Sequence, residues 1–124
     1  MSVRAVRGAT HVDADDREHV LALARELIEK VMTANELTGE DLISLMFTPT
    51  PDLSSVAPAV AARQLGLDEV ALLYDQEMAV DDSMTRVIRL PAHVQTDRSQ
   101  RDLTNVYLHG TQGLRADVPA ILHP

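Results

Sequence analysis

The stretch Thr85-Arg86-Val87-Ile88-Arg89-Leu90-Pro91-Ala92-His93-Val94-Gln95-Thr96 sets one row of side chains, Ile88, Leu90, Ala92 and Val94, against a second, Val87, Arg89, Pro91 and His93. A period of two is the mark of an extended strand, and the all-aliphatic row is the face turned to the core. Pro91 cannot donate to a ladder, so it predicts an edge position or a bulge there. Upstream, Val70 to Tyr74 predicts another strand, followed by a polar loop from Asp75 to Ser83. Downstream, Ser99 to Leu103 reads as a short helical turn and Asn105 to Leu108 as a last strand.

Toward the N-terminus, Val3, Ala5 and Arg7 alternate with Arg4, Val6 and Gly8, which predicts a short opening strand that Gly8 ends. Asp15 and Glu18 stand three apart like a capping box. Val20, Ala24, Leu27 and Val31 follow at spacings of four and three, with Leu21, Ile28 and Met32 alongside. One amphipathic helix of about five turns results. Leu42 to Thr48 is an apolar run too short for a typical helix and predicts a buried strand. Thr48-Pro49-Thr50-Pro51-Asp52 carries two prolines, cannot extend that strand, and predicts a functional loop. Ala57 to Leu65, with Pro58 near its start and Gly66 past its end, predicts a second helix. The order describes an α+β fold, a mixed sheet with helices on one face, in one domain over residues 1–124 whose tail, 110–124, is partly irregular.

Composition narrows the function. The 124 residues are 45% hydrophobic but 2% aromatic, so aliphatic side chains fill the core. Eleven basic against nineteen acidic residues leave a net charge of -8, which argues against nucleic acid and anionic membrane as partners. With no cysteine there is no thiolate metal site and no Cys nucleophile. His11, His19, His93, His109 and His123 lack metal-ligand spacing, and Asp13, Asp15 and Asp16 stand where helix caps belong, so no metal is expected. The N-terminus has neither a signal-peptide core nor an apolar span, which places the protein in the cytoplasm by default.

Two arginines stand out. Alternation sets Arg7 on the face of Val3 and Ala5, and Arg89 on the face opposite the aliphatic row. Strand-borne guanidiniums are rigid and grip carboxylates through two parallel hydrogen bonds. Either one alone is most simply paired with one of the acidic residues; two together suggest an anionic ligand. Between them lies Gln76-Glu77-Met78, where Glu77 offers either an acceptor for a ligand hydroxyl or simply a solvated loop carboxylate.

Six segments now form a pattern: Val3 to Thr10, Phe47 to Leu53, Pro58 to Arg63, Gln76-Glu77-Met78, Arg86 to Arg89 and Val106-Tyr107-Leu108. In order and spacing they resemble the motifs of the AroH-type, monofunctional chorismate mutases over nearly the whole chain. The resemblance implies a homotrimeric pseudo-α/β-barrel with active sites between subunits, converting chorismate to prephenate without a cofactor. It implies further that Arg89 reaches the ether oxygen and the enolpyruvyl carboxylate, that Arg7 and Tyr107 bind that carboxylate, and that Glu77 accepts from the ring hydroxyl. Arg63 would stand at the mouth, Leu114 would close the pocket from the tail, and Ala57, Leu73 and Tyr74 would complete the substrate contacts. A Claisen rearrangement is unimolecular, which fits a sequence without nucleophile, metal or triad motifs.

The chain departs from the family pattern at one end of the expected pocket. Tyr74 stands where Cys is usual, Asp75 where a small or apolar residue is usual, and Ala57 where Phe is usual. Residues 79–83 replace the commoner glycine turn. These changes leave open a chorismate-related substrate or weak activity. A trimeric imine deaminase of the RidA type is the alternative from another class.

Overall fold

A computed structural model describes residues 1–81 and 83–115. Asp82 of the loop, His123 and the tail beyond residue 115 lie outside the described residues. The strands are β1 (Ser2–His11), β2 (Leu42–Pro49), β3 (Ala71–Tyr74), β4 (Val87–Thr96) and β5 (Val106–Tyr107). The helices are α1 (Arg17–Ala34) and the short α2 (Val60–Gln64), and single 3-10 turns lie at Gly39–Asp41, Gln100–Asp102 and Thr111–Arg115.

The sheet runs β3-β2-β4-β1-β5. β4 pairs antiparallel with β1 and β2, whereas β5 joins β1, and β3 joins β2, in parallel. The mixed α+β architecture is thus as the sequence implied. Ile88, Leu90, Ala92 and Val94 of β4 are all fully buried, joined by Val6 of β1, Leu45 and Phe47 of β2, and the α1 row Val20, Leu21, Ala24, Leu27, Ile28 and Val31. α1 crosses close to the sheet. A Cβ on Gly8 would stand 3.0 Å from Leu27 Cδ1 and 3.3 Å from Val31 Cγ2, so a glycine is what lets the helix seat. Gly8 lies inside β1, which runs on to His11, and does not end the strand.

Several expectations need correction. Pro91 does not mark an edge, because β4 is the central strand. Pro91 faces Arg7 of β1, whose own amide turns away to Asn105 Oδ1 at 2.9 Å, so that side of β4 needs no donor from Pro91. On the other side, β2 pairs with β4 at Ser44 and Leu45 and again at Thr48 and Pro49, flanking the proline; a register shift lies between Leu42 and Ser44. Arg7 shares the face of Val3 and Ala5, as alternation implied, and that face is the one α1 leaves bare. Val3 is 60% exposed, and the helix-covered row of β1 is the one holding Val6 and Gly8.

The helix N-cap is Asp16, whose carboxylate accepts from the His19 amide at 3.1 Å. Asp15 instead accepts from the amides of Ser54 and Ser55, both at 3.0 Å, and ties the start of α1 to the loop after β2. Those hydrogen bonds, the Ser55 hydroxyl first and the Ser54 and Ser55 amides next, hold the Asp15 carboxyl down to about 2. α2 is shorter than expected, since residues 57–62 begin with i→i+3 bonds from Val60, Ala61 and Ala62 to Ala57, Pro58 and Ala59. Among the described residues no helix is long and apolar enough to cross a membrane.

Candidate active site

Helices cover one face of the sheet, and the other carries a recess of about 300 Å³ lined by Arg7, Ala9, Thr48, Arg89, Pro91, Tyr107 and Leu114 together with backbone of Gly8 and Leu90. Register explains why these residues meet. Thr48 lies across from Arg89, Arg89 across from Ala9, and Ala9 across from Tyr107, so one transverse row spans β2, β4, β1 and β5. Arg7 faces Pro91 one row along. Arg7 and Arg89 are therefore diagonal neighbours, roughly 7–8 Å apart at the backbone. Two guanidiniums at that spacing repel each other, and a ligand with two negative charges relieves the repulsion.

Glu77 is brought to this row from the loop after β3. Its amide donates to the Pro49 carbonyl at 2.9 Å, and its Oε1 stands 2.5 Å from Arg89 Nε. The pairing occupies the Nε edge of Arg89 and leaves the two terminal nitrogens as a planar fork for a ligand. The start of β4 is braced as well. The Asp52 carboxylate accepts from the Arg86 amide at 3.1 Å, and the Thr50 hydroxyl donates to Asp52 at 2.6 Å while accepting from the Val87 amide at 3.1 Å. Partial burial opposes ionisation of Asp52. The bonds from Thr50 and Arg86 outweigh it and hold that carboxyl below its ordinary value. Of the segment Thr48 to Asp52 expected to be a functional loop, Thr48 and Pro49 extend β2 and Thr48 reaches the recess, whereas Thr50 and Asp52 brace the start of β4.

The tail closes one side. His109 and Gly110 take positive φ values of 54° and 87°, the left-handed turn that starts it. His109 Nε2 meets Glu26 Oε1 of α1 at 2.6 Å, and the buried Thr111 hydroxyl donates to the carbonyls of Leu108 at 2.9 Å and Ala9 at 3.2 Å. That anchorage sets Leu114 at the recess.

Of the residues read from the sequence, Arg7, Arg89, Tyr107 and Leu114 line one recess and Glu77 is paired to Arg89. Arg63, Ala57, Leu73 and Tyr74 are not brought to it. Arg63 is exposed and donates to the Leu67 carbonyl at 2.7 Å, finishing α2. Leu73 and Tyr74 are 56% and 64% exposed on the edge strand β3, and Ala57 is half-buried before α2. Asp75 is exposed and its carboxylate accepts from the Gln76 amide at 2.8 Å, so it adds no charge to the recess wall. Ala9 and Pro91 were not read as site residues from the sequence, and Thr48 only as the first residue of a functional loop. Same-face spacing was their signal, two residues from Arg7 or Arg89 for Ala9 and Pro91, and alternation with buried Phe47 for Thr48.

The fold and the site together define a class, mixed-sheet α+β proteins that present two arginines in a recess on the bare face of the sheet. Residues 3–118 match the family described as chorismate mutase type I. The chain is 38% identical to chorismate mutase AroH of Bacillus subtilis (strain 168) over 119 residues, 95% of this chain and 94% of that one. It is 42% identical to chorismate mutase AroH of Thermus thermophilus over 117 residues, 94% and 96% of the two chains. Among solved structures, a chorismate mutase from Clostridium thermocellum superposes with a TM-score of 0.86 at 37% identity, covering 87% of this chain and 96% of that one. The chain belongs to the type I chorismate mutase family, and with it to the isomerases.

Proposed function

We propose that this protein converts chorismate to prephenate by an intramolecular Claisen rearrangement, in which the ether C–O bond breaks as a C–C bond forms and no proton or covalent intermediate is needed. The observation that carries this is the pair of strand-borne guanidiniums, Arg7 and Arg89, in one recess with Tyr107, with Glu77 seated on Arg89 Nε. Arg7 and Tyr107 bind the enolpyruvyl carboxylate. The free fork of Arg89 reaches that carboxylate and the ether oxygen, where negative charge develops. Glu77 accepts from the ring hydroxyl. Holding the chair-like conformer removes the entropic part of the barrier, and the fixed donors stabilise the charge that remains.

The recess is open and sits at the small end of the range for ligand sites. The exposure of Leu73 and Tyr74 supports a homotrimer in which those residues, with Ala57, complete the pocket of a neighbouring copy, and Arg63 stands at its mouth. The whole chain serves as one domain in this reading, acting in the cytoplasm on pathway intermediates of aromatic amino acid biosynthesis. Mixing the protein with chorismate and following loss of the diene absorbance tests it. Enzyme-dependent decay with prephenate as product is expected, and chorismate that remains intact at high enzyme concentration sinks the proposal. Light scattering that finds a stable monomer at working concentration removes the shared-pocket part.

A further inference from the structure

Thr48 has no part in the roles just assigned, yet it holds the position a hydroxyl-recognising group requires. Phe47 beside it is fully buried, so alternation turns Thr48 to the bare face, where it lines the recess directly across from Arg89. The next residue, Pro49, accepts the Glu77 amide, so Thr48 stands next to the anchor of that carboxylate. Its neighbour Thr50 has a hydroxyl engaged by Asp52 and Val87. The Thr48 hydroxyl, on a half-buried residue, takes no hydrogen bond from any described residue.

We infer that Thr48 contacts the substrate and completes recognition of its ring hydroxyl, donating to the oxygen whose proton points at Glu77. This rests on the function proposed above. An ionised carboxylate only accepts, so Glu77 takes the hydroxyl's proton in its hydrogen bond. The hydroxyl oxygen then presents its lone pairs to the other side, and Thr48 is the recess residue beside Glu77 with an O–H to give. A hydroxyl held between a fixed acceptor and a fixed donor is discriminated from hydrogen, because losing it leaves both groups unpaired.

The test uses two substrates, chorismate and an analogue with hydrogen in place of the ring hydroxyl, and three variants. Thr48→Val keeps the shape and removes the donor, Thr48→Ser keeps the donor, and Thr48→Ala removes it in a smaller side chain. The expected result is a loss of about tenfold in kcat/KM on chorismate for Thr48→Val and Thr48→Ala, the usual effect of one deleted hydrogen bond. Thr48→Ser stays near wild type, and wild type and Thr48→Val are equal on the analogue. An unchanged kcat/KM for Thr48→Val on chorismate overturns the inference, as does an equal loss on both substrates. Either outcome leaves the proposed function standing so long as the wild type consumes chorismate; absence of wild-type turnover overturns that function instead.

Discussion

Replacing Arg89 with alanine separates the role of this side chain in the fold from its role in the reaction. Its ion pair with Glu77 is short, but the side chains are 45% and 26% exposed, so water screens the attraction. Pairs of that kind contribute about 0.2–1 kcal/mol to stability, and a loss of about 1 kcal/mol lowers Tm by only about 4 °C in a chain of 124 residues. The reaction is hit much harder. A donor aimed at an oxygen that gains charge is worth about 3–4 kcal/mol, or about 10²–10³ in rate. Removing Arg89 also strips Glu77 of its countercharge, leaving a bare carboxylate to face a dianionic ligand, which pushes the loss toward the upper end. Arg89→Lys restores the charge and most of the Tm. Its single ammonium cannot hold Glu77 and fork a ligand together, so turnover stays low. Circular dichroism melting and the diene assay, run on the same preparations, read the two quantities. Turnover of either variant near the wild-type kcat would refute the assignment, and a Tm collapse in Arg89→Ala would refute the screened-pair estimate.

Two further substitutions probe what positions the site. Gly8→Ala drives a methyl to 3.0 Å from Leu27 Cδ1 and 3.3 Å from Val31 Cγ2, and overpacking of this kind costs about 1–3 kcal/mol; a urea midpoint equal to wild type would show that α1 simply moves aside. Asp15→Asn removes a carboxylate whose folded-state pKa lies at about 2, below its ordinary 3.8. A depressed folded pKa stabilises the native state above the ordinary value and ceases to do so as pH falls through the folded one. The variant should therefore melt lower than wild type at neutral pH, with the gap closing between about pH 3.8 and about pH 2. A gap independent of pH would dismiss the charge of Asp15 as its source.

Much of this was legible because period and face are local properties. The aliphatic row of β4 and the heptad-like row of α1 declared themselves, since each is set by alternation or by helical spacing within one segment. Pro91 misled because the sequence shows that a donor is missing but not that Arg7 and Pro91 form a non-hydrogen-bonded pair of the ladder, with the Arg7 amide turned to Asn105. For Arg7, alternation gave the right row, with Val3 and Ala5, but not whether that row is covered. Val3 and Ala5 are apolar, but only the seating of α1 over Gly8 decides which side of β1 is covered. Asp15 and Asp16 are both competent caps in sequence; Ser54 and Ser55, some forty residues on, claim the first and leave the second to α1. The site itself became readable through six spaced motifs and not through any one of them. The sequence marked Thr48 only as the start of a loop, because its partner across the sheet, Arg89, is distant in sequence.

The row formed by Thr48, Arg89, Ala9 and Tyr107 has a consequence for how this molecule fails. Four strands each lend it one residue, and the last of them, β5, is held at the margin of the sheet by two ladder positions and by bonds of its flanking residues Asn105, Leu108 and Thr111 to Arg7 and Ala9. Edges with so few ladder bonds open at lower free energy than a sheet's centre. On gentle heating, the pocket is expected to lose its Tyr107 wall while the α1–β4 core is still intact, which turnover and helical circular dichroism followed along one temperature ramp would check. Turnover is therefore a more sensitive gauge of the native sheet than any signal from its helices, and it fades before they melt.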